Sequence, residues 1–285
     1  MLTTFVNGWY LSTDHIIGSW SVLDTTPSPA QENNANIVRS FFLNEGWTLN
    51  AICGMLGCMQ GESTINPAFI QATNRYRLPN SAADLSDVPN TVMENFYKEY
   101  YQVTQKAFGI GLVQWDGYSN RGGVNRQKLV AYCEDNNIIW YDGWSQLYRL
   151  RGEQQYDVYT QPGTFFNPVT ISGVQYDFSN YPYSTASPEI LAAAFTAGYE
   201  RNAGGVGFRD DNARYWYDYF SDPLNPIPVI PPSQFSDPLQ WDPDEPPFDP
   251  SDPTDPDAPG LDYIPAWLVT IFSRRKEILK RWIKG

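Results

Sequence analysis

Histidine is almost missing from this chain of 285 residues: His15 is the only one. That nearly excludes a histidine-based triad and a histidine-built zinc site. Cysteine is scarce as well, with Cys53, Cys58 and Cys133 making an odd count without framework spacing. Cys53 and Cys58 fall five positions apart on one expected helix, about 140° around its axis, so neither a bridge nor a metal pair is expected. No metal or organic cofactor is expected. Basic residues are in the minority, 19 against 32 acids, for a formal net charge of -13. A nucleic-acid binder carries a basic face, so nucleic acid is not an expected partner. No apolar run reaches the ~18 residues of a spanning helix. The opening stretch lacks the basic and apolar regions of a secretory signal.

Aromatics are plentiful, with 10 Trp and 19 Tyr. Flat rings suit the C–H faces of sugars, and they also fill cores. Residues 1–32 read as an arm ending in Thr26-Pro27-Ser28-Pro29. Helical spacing starts after Asn33, with Ile37, Val38, Phe41 and Phe42, and stops at Gly46. Thr48 caps a second helix with the apolar stripe Ile52, Met55, Leu56 and Met59, closed by Asn66-Pro67. Residues 69–90 read as loop. Further helices are expected at about 90–105, 125–135 and 142–155. Val169, Ile171, Val174, Tyr176 and Phe178 alternate, which predicts a hairpin within 162–184. Ser187-Pro188 opens another helix as N-cap and N1, and a last one includes Arg214 to Phe220. Residues 221–263 alternate Pro and Asp and read as a disordered, semi-rigid linker. Residues 264–285 read as a basic amphipathic helix bearing Trp267 and Trp282.

Glu62 stands out because it continues the stripe of Ile52, Met55 and Met59. Such a glutamate is either a paired structural acid or an acid at a cleft wall. A carboxyl partly withdrawn from water keeps its proton longer, as a general acid for glycosidic cleavage must. The negative end of a helix acts in the same direction. The second informative stretch is Phe108-Gly109-Ile110-Gly111-Leu112-Val113-Gln114-Trp115. Its glycines allow close approach of backbone to a ligand, Gln114 offers an amide for sugar hydroxyls and acetamido groups, and Trp115 offers a ring. The plain alternative is a tight turn.

The run Ala51 to Pro67, with Gly61-Glu62-Ser63-Thr64 at its end, resembles the tail-lysozyme family of bacteriophages. It looks most like the lysozyme domain at the tail tip of small podoviruses of Gram-positive bacteria. Phe108–Trp115 resembles the second motif of that family, Tyr199-Glu200-Arg201 the third, and Arg214-Tyr215-Trp216-Tyr217 the closing helix. The likeness spans 33–220. It departs in an enlarged loop between Glu62 and Gly109, an enlarged segment at 162–184, and Asn202 where proline is usual. The resemblance implies a mainly α, lysozyme-like domain with a small β-hairpin region, and Glu62 as the catalytic general acid. Ser63, Gln114, Trp115 and Tyr199 become candidate substrate-binding residues. Asp116 is the first candidate for a second carboxylate, ahead of Asp84 and Asp87. Glu200 and Arg201 are expected to form a buried pair holding two helices together.

The implied function is muramidase-type cleavage of peptidoglycan glycan strands by a virion tail protein during host entry. The implied partners are those strands and other tail proteins. The order of motifs also resembles lytic transglycosylases. A glycan-binding structural tail protein and a lysin released late in infection are the other readings. The terminal helix at 264–285 suits either an anionic host membrane surface or docking on another virion protein.

Overall fold

The computed structural model describes residues 3–12, 27–70, 88–104, 108–116, 129–201, 208–224 and 226–236. The expected linker beyond 236, the terminal helix, Asp84, Asp87 and Asn202 lie outside them. The described chain is mainly helical, with three two-stranded antiparallel hairpins.

The helices begin where the capping signals stand. Helix α1 is Pro29–Asn44, starting ahead of Ile37, where the apolar periodicity begins. Ser28 and Gln31 close a capping box, Gln31 N–H to Ser28 Oγ at 3.3 Å and Ser28 N–H to Gln31 Oε1 at 2.7 Å. Gly46, at φ +84°, lets the chain leave α1. Thr48 Oγ1 then accepts from Ala51 N–H and opens α2, Leu49–Ser63. Helices α3 (Asn90–Thr104), α4 (Leu129–Asp135) and α5 (Gly143–Tyr159) follow, the last capped by Asp142. Helix α6 is Pro188–Phe195, with Ser187 at the N-cap position but without a side-chain bond. Helix α7 is Arg209–Ser221, beginning five residues ahead of the expected stretch.

The one-sided stripe expected of α2 is not what the chain builds. Residues 51–61 and Ser63 are all buried, and Glu62 is partly so. A helix apolar all round belongs in the middle of a domain, and α2 sits there because its glycines admit two neighbours. A Cβ on Gly54 would lie 2.8 Å from Leu191 Cβ of α6, and one on Gly57 would lie 2.5 Å from Arg209 O of α7. The three helices therefore touch nearly backbone to backbone.

The first hairpin, β1 (Thr3–Val6) and β2 (Trp9–Ser12), turns through Asn7 and Gly8, both at positive φ. Trp9 and Leu11 alternate along β2 and are buried in the common core. The Trp9 ring fills the place where a side chain on Gly143 would stand. Asn34 of α1 accepts from Tyr10 N–H and donates to Tyr10 O and Ile65 O. These residues are thus part of the packed body rather than an arm.

The hairpin expected within 162–184 is present as β5 (Val169–Ile171) and β6 (Val174–Tyr176). Behind it Phe166, Phe178, Tyr181, Phe195 and Tyr199 pack ring on ring, with centroids 4.7–6.2 Å apart. Most aromatics of the described residues lie in the hydrophobic core or pack against it.

The stretch 226–236 departs from the expectation of an unpacked linker. Ile227 O accepts from Arg39, Pro228 O from Asn36, and Ile230 N–H donates to Ser40 Oγ at 2.9 Å. Proline removes donors but leaves carbonyls, and the polar side of α1 supplies the matching donors. Phe235 lies 5.1 Å from Trp144 and 5.7 Å from Phe41, centroid to centroid.

Candidate active site

Everything at the C-terminal end of α2 is arranged to fix its last turn. Thr64 caps the helix in the left-handed region, at φ +56°. Ser63 is fully buried, and its Oγ lies 2.9 Å from Met59 O and 2.8 Å from Leu112 O, to which its hydroxyl donates. That bond ties the helix to the turn between β3 (Gly109–Ile110) and β4 (Trp115–Asp116).

The turn is itself held from α5. Gln146 Oε1 accepts from Leu112 N–H at 2.8 Å, and Gln146 Nε2 donates to Pro67 O and Trp140 O. Gly111, at φ +76°, is required there, because a Cβ would stand 2.6 Å from Gln146 Oε1. Gln114 folds over Gly109 and donates from Nε2 to Gly111 O at 2.9 Å. The space that the two glycines open is thus filled by Gln114 and Gln146. Gln114 Oε1 is buried and accepts no hydrogen bond among the described residues.

Trp115 and Tyr199 meet at a third residue. Glu153 of α5 accepts from Trp115 Nε1 at 3.2 Å, from Arg149 Nε at 3.1 Å and from Tyr199 Oη at 2.5 Å. The Arg149 guanidinium covers the Trp115 ring at 5.1 Å, and Tyr199 stacks on Phe195. Both rings are only 3% exposed, so neither presents an open face. Asp116 pairs through its backbone with Gly109; its side chain lies outside the described atoms.

Glu62 projects from the last turn of α2 with its side chain 10% exposed, and its carboxylate meets the guanidinium of Arg209 at the first position of α7. Arg209 reaches it because Gly61 has no side chain: a Cβ there would lie 2.6 Å from the Phe208 ring and 3.4 Å from Arg209 Cγ. The other edge of the same guanidinium, Nε, lies 3.4 Å from Glu200 Oε2. Burial pushes the Glu200 carboxyl up to about 8, the neighbouring Glu62 adds to that, and Arg209 works against it.

Glu200 reaches this position through a π turn, Thr196–Glu200, which continues α6 and ends with Arg201 in the left-handed region. Such turns are rare and recur at functional sites. The expected pair of Glu200 with Arg201 is not formed. The left-handed residue swings Arg201 outward, where it donates to Thr164 O at 2.8 Å, and Arg209 takes its place beside Glu200.

The molecule is thus a mainly helical domain whose central helix ends in a glutamate, faced by an arginine and backed by a second, buried glutamate. The chain belongs to the phage tail lysozyme family, whose sequence profile matches residues 33–220. The chain is also 30% identical over 192 residues to morphogenesis protein 1 of Bacillus phage B103, a match that covers 65% of this chain and 38% of that relative. It therefore spans less than half of that protein's length.

Two members of the cluster escape a reading of the sequence. Glu200 stands in a recognisable motif, yet without its π turn it reads as a helix-pairing acid. Arg209 opens a run of charged residues with no marker of its own. The usable signal is Gly54, Gly57 and Gly61, whose spacing of three and four marks one face of α2 for close helix packing.

Proposed function

We propose that this chain is a muramidase-type peptidoglycan hydrolase of a phage tail, cutting the glycan strand of the host wall with Glu62 as the general acid. The observation that carries this reading is the meeting of Glu62 with Arg209 and Glu200 at the end of the buried helix α2. Glycosidic cleavage needs a carboxyl to protonate the departing oxygen while positive charge builds on the sugar ring. Glu62 is the member of the cluster with the more exposed carboxyl; Glu200 lies behind Arg209 and is more fully enclosed. Asp116 is the proposed carboxylate for positioning the attacking water, and Gln114, with its spare amide oxygen, the proposed contact to an acetamido group. Other tail proteins are the proposed assembly partners.

The test is mass spectrometry of purified peptidoglycan after digestion by the wild type and by Glu62→Gln. The amide is nearly isosteric but cannot donate the proton, so a folded Glu62→Gln protein is expected to release no fragments. Fragments with reducing muramic acid ends support the muramidase. Anhydro-muramic ends make the protein a lytic transglycosylase instead. Binding of wall glycan without any cleavage by the wild type makes it a structural glycan-binding protein. Turnover by Glu62→Gln equal to wild type removes Glu62 from the mechanism.

A further inference from the structure

We propose that Arg209 is a positioning residue that holds the Glu62 carboxyl in place, and that Glu200 is the anchor that keeps the Arg209 guanidinium there. The inference rests on the reading of Glu62 as the reacting acid.

Three features converge on Arg209. The first is backbone contact: Gly57 and Gly61 let Arg209 and Phe208 lie against α2, where any side chain would displace them. The second is the guanidinium fork, which turns one edge to Glu62 and the other to Glu200. The third is the π turn, which departs from the α-helical ladder and delivers Glu200 to that second edge. Stability alone is a poor reason for this cluster. Buried ion pairs lose most of their attraction to desolvation, and apolar replacements are often as stable. Two acids around one arginine, with a carboxyl that burial drives towards its neutral form, is a costlier arrangement still. A planar fork that fixes the orientation of a reacting carboxyl explains it, since a misplacement of about 1 Å can cost a hundredfold in rate.

Among the described residues, the charged and titratable groups facing Glu62 are Arg209 from α7, Glu200 from the π turn and Cys58 from α2 itself. Burial raises the Cys58 thiol far above its ordinary value, so it stays uncharged. Arg209 is the cation among these groups, and its fork is what meets the Glu62 carboxyl.

The experiment measures kcat and KM on purified glycan strands for wild type, Arg209→Gln, Arg209→Lys, Glu200→Ala and Glu62→Gln. Circular dichroism checks that each variant is folded. Arg209→Gln is expected to lower kcat by about tenfold or more with KM unchanged. Arg209→Lys keeps the charge but loses the fork, and is expected to lower kcat in the same way, again with KM unchanged. Glu200→Ala, which removes the group that faces Arg209 Nε, is expected to lower kcat in the same way with KM unchanged. A folded Arg209→Gln protein with kcat equal to wild type overturns the proposal. If Arg209→Gln does not fold, Arg209→Lys decides, and an unchanged kcat overturns it. Activity in Glu62→Gln instead sinks the underlying reading, whatever the arginine variants do.

Discussion

Alanine at Gly57 and alanine at Gly152 are the same substitution in helix interiors, and the structure gives them opposite signs. In both, the added methyl restricts the unfolded chain and improves helix propensity by about 0.5–1 kcal/mol. At Gly152 of α5 nothing lies within 4 Å of the new Cβ. At Gly57 it would lie 2.5 Å from Arg209 O, 2.7 Å from Ala213 N and 2.8 Å from Ala213 Cβ. Two of those three atoms are backbone, so no rotamer change relieves them. Helix α7 has to retreat by roughly 1 Å against a close-packed interior, an overpacking cost of about 1–3 kcal/mol or somewhat more. The net expectation for Gly57→Ala is a loss of about 1–2 kcal/mol, which for a domain of this size lowers Tm by about 2–8 °C. Gly152→Ala is expected to raise Tm by about 1–4 °C. Thermal unfolding followed by circular dichroism reads both. Wall lysis, measured well below either transition, should fall in Gly57→Ala, because Arg209 moves with α7. A Gly57→Ala protein as stable as Gly152→Ala would refute the backbone contact on which this account of α2 rests.

Other consequences are open to measurement. Truncation after residue 236 is expected to preserve stability and wall lysis. Truncation after 225 removes the carbonyl bonds to Asn36 and Arg39 and the Phe235 contact with Trp144, and should lower Tm by several degrees; equal Tm values would show that the docked stretch contributes nothing. Asp157 accepts from the Phe165 and Phe166 amides, and burial lifts its carboxyl to about 6. Its folded value thus stands above its unfolded one. This group's contribution is fully present below about pH 4 and is lost as pH rises through about 6. The wild-type stability, less that of Asp157→Asn, should therefore decline between those values, and a flat or rising difference contradicts the assignment.

Local chemistry made much of the fold readable. Thr48, Gly46 and Ser187-Pro188 act on their own neighbours, so a residue and its element are close in the chain. What stayed hidden depends on contacts between distant segments. The stripe of Ile52, Met55 and Met59 describes only one side of α2, and only the partners α6 and α7 reveal that the opposite side is equally enclosed. Trp9 and Leu11 lie before the first helix, and nothing nearby says that Gly143 leaves room for an indole. At the site, Glu62 and the 109–115 turn were legible as motifs. The surroundings of Trp115 and Tyr199 were not, because their common partner Glu153 stands in a helix with no motif. Arg209 reaches Glu62 across 147 positions of sequence, and a register defect in α6 decides which way Glu200 faces.

That register defect makes the stretch from Thr196 to Glu200 sensitive to length in a way it is not to composition. Arg201 N–H closes on Thr196 O, five residues back. Removing one residue would let the ordinary four-residue ladder resume and turn every later side chain by about 100° around the axis. Tyr199 would leave Glu153 and Glu200 would leave Arg209 in the same event, although each residue would still be present in the chain. Point changes here produce graded losses, each limited to the contact removed. A single-codon deletion is all-or-none, so insertions and deletions should be purged from these five positions more strictly than substitutions.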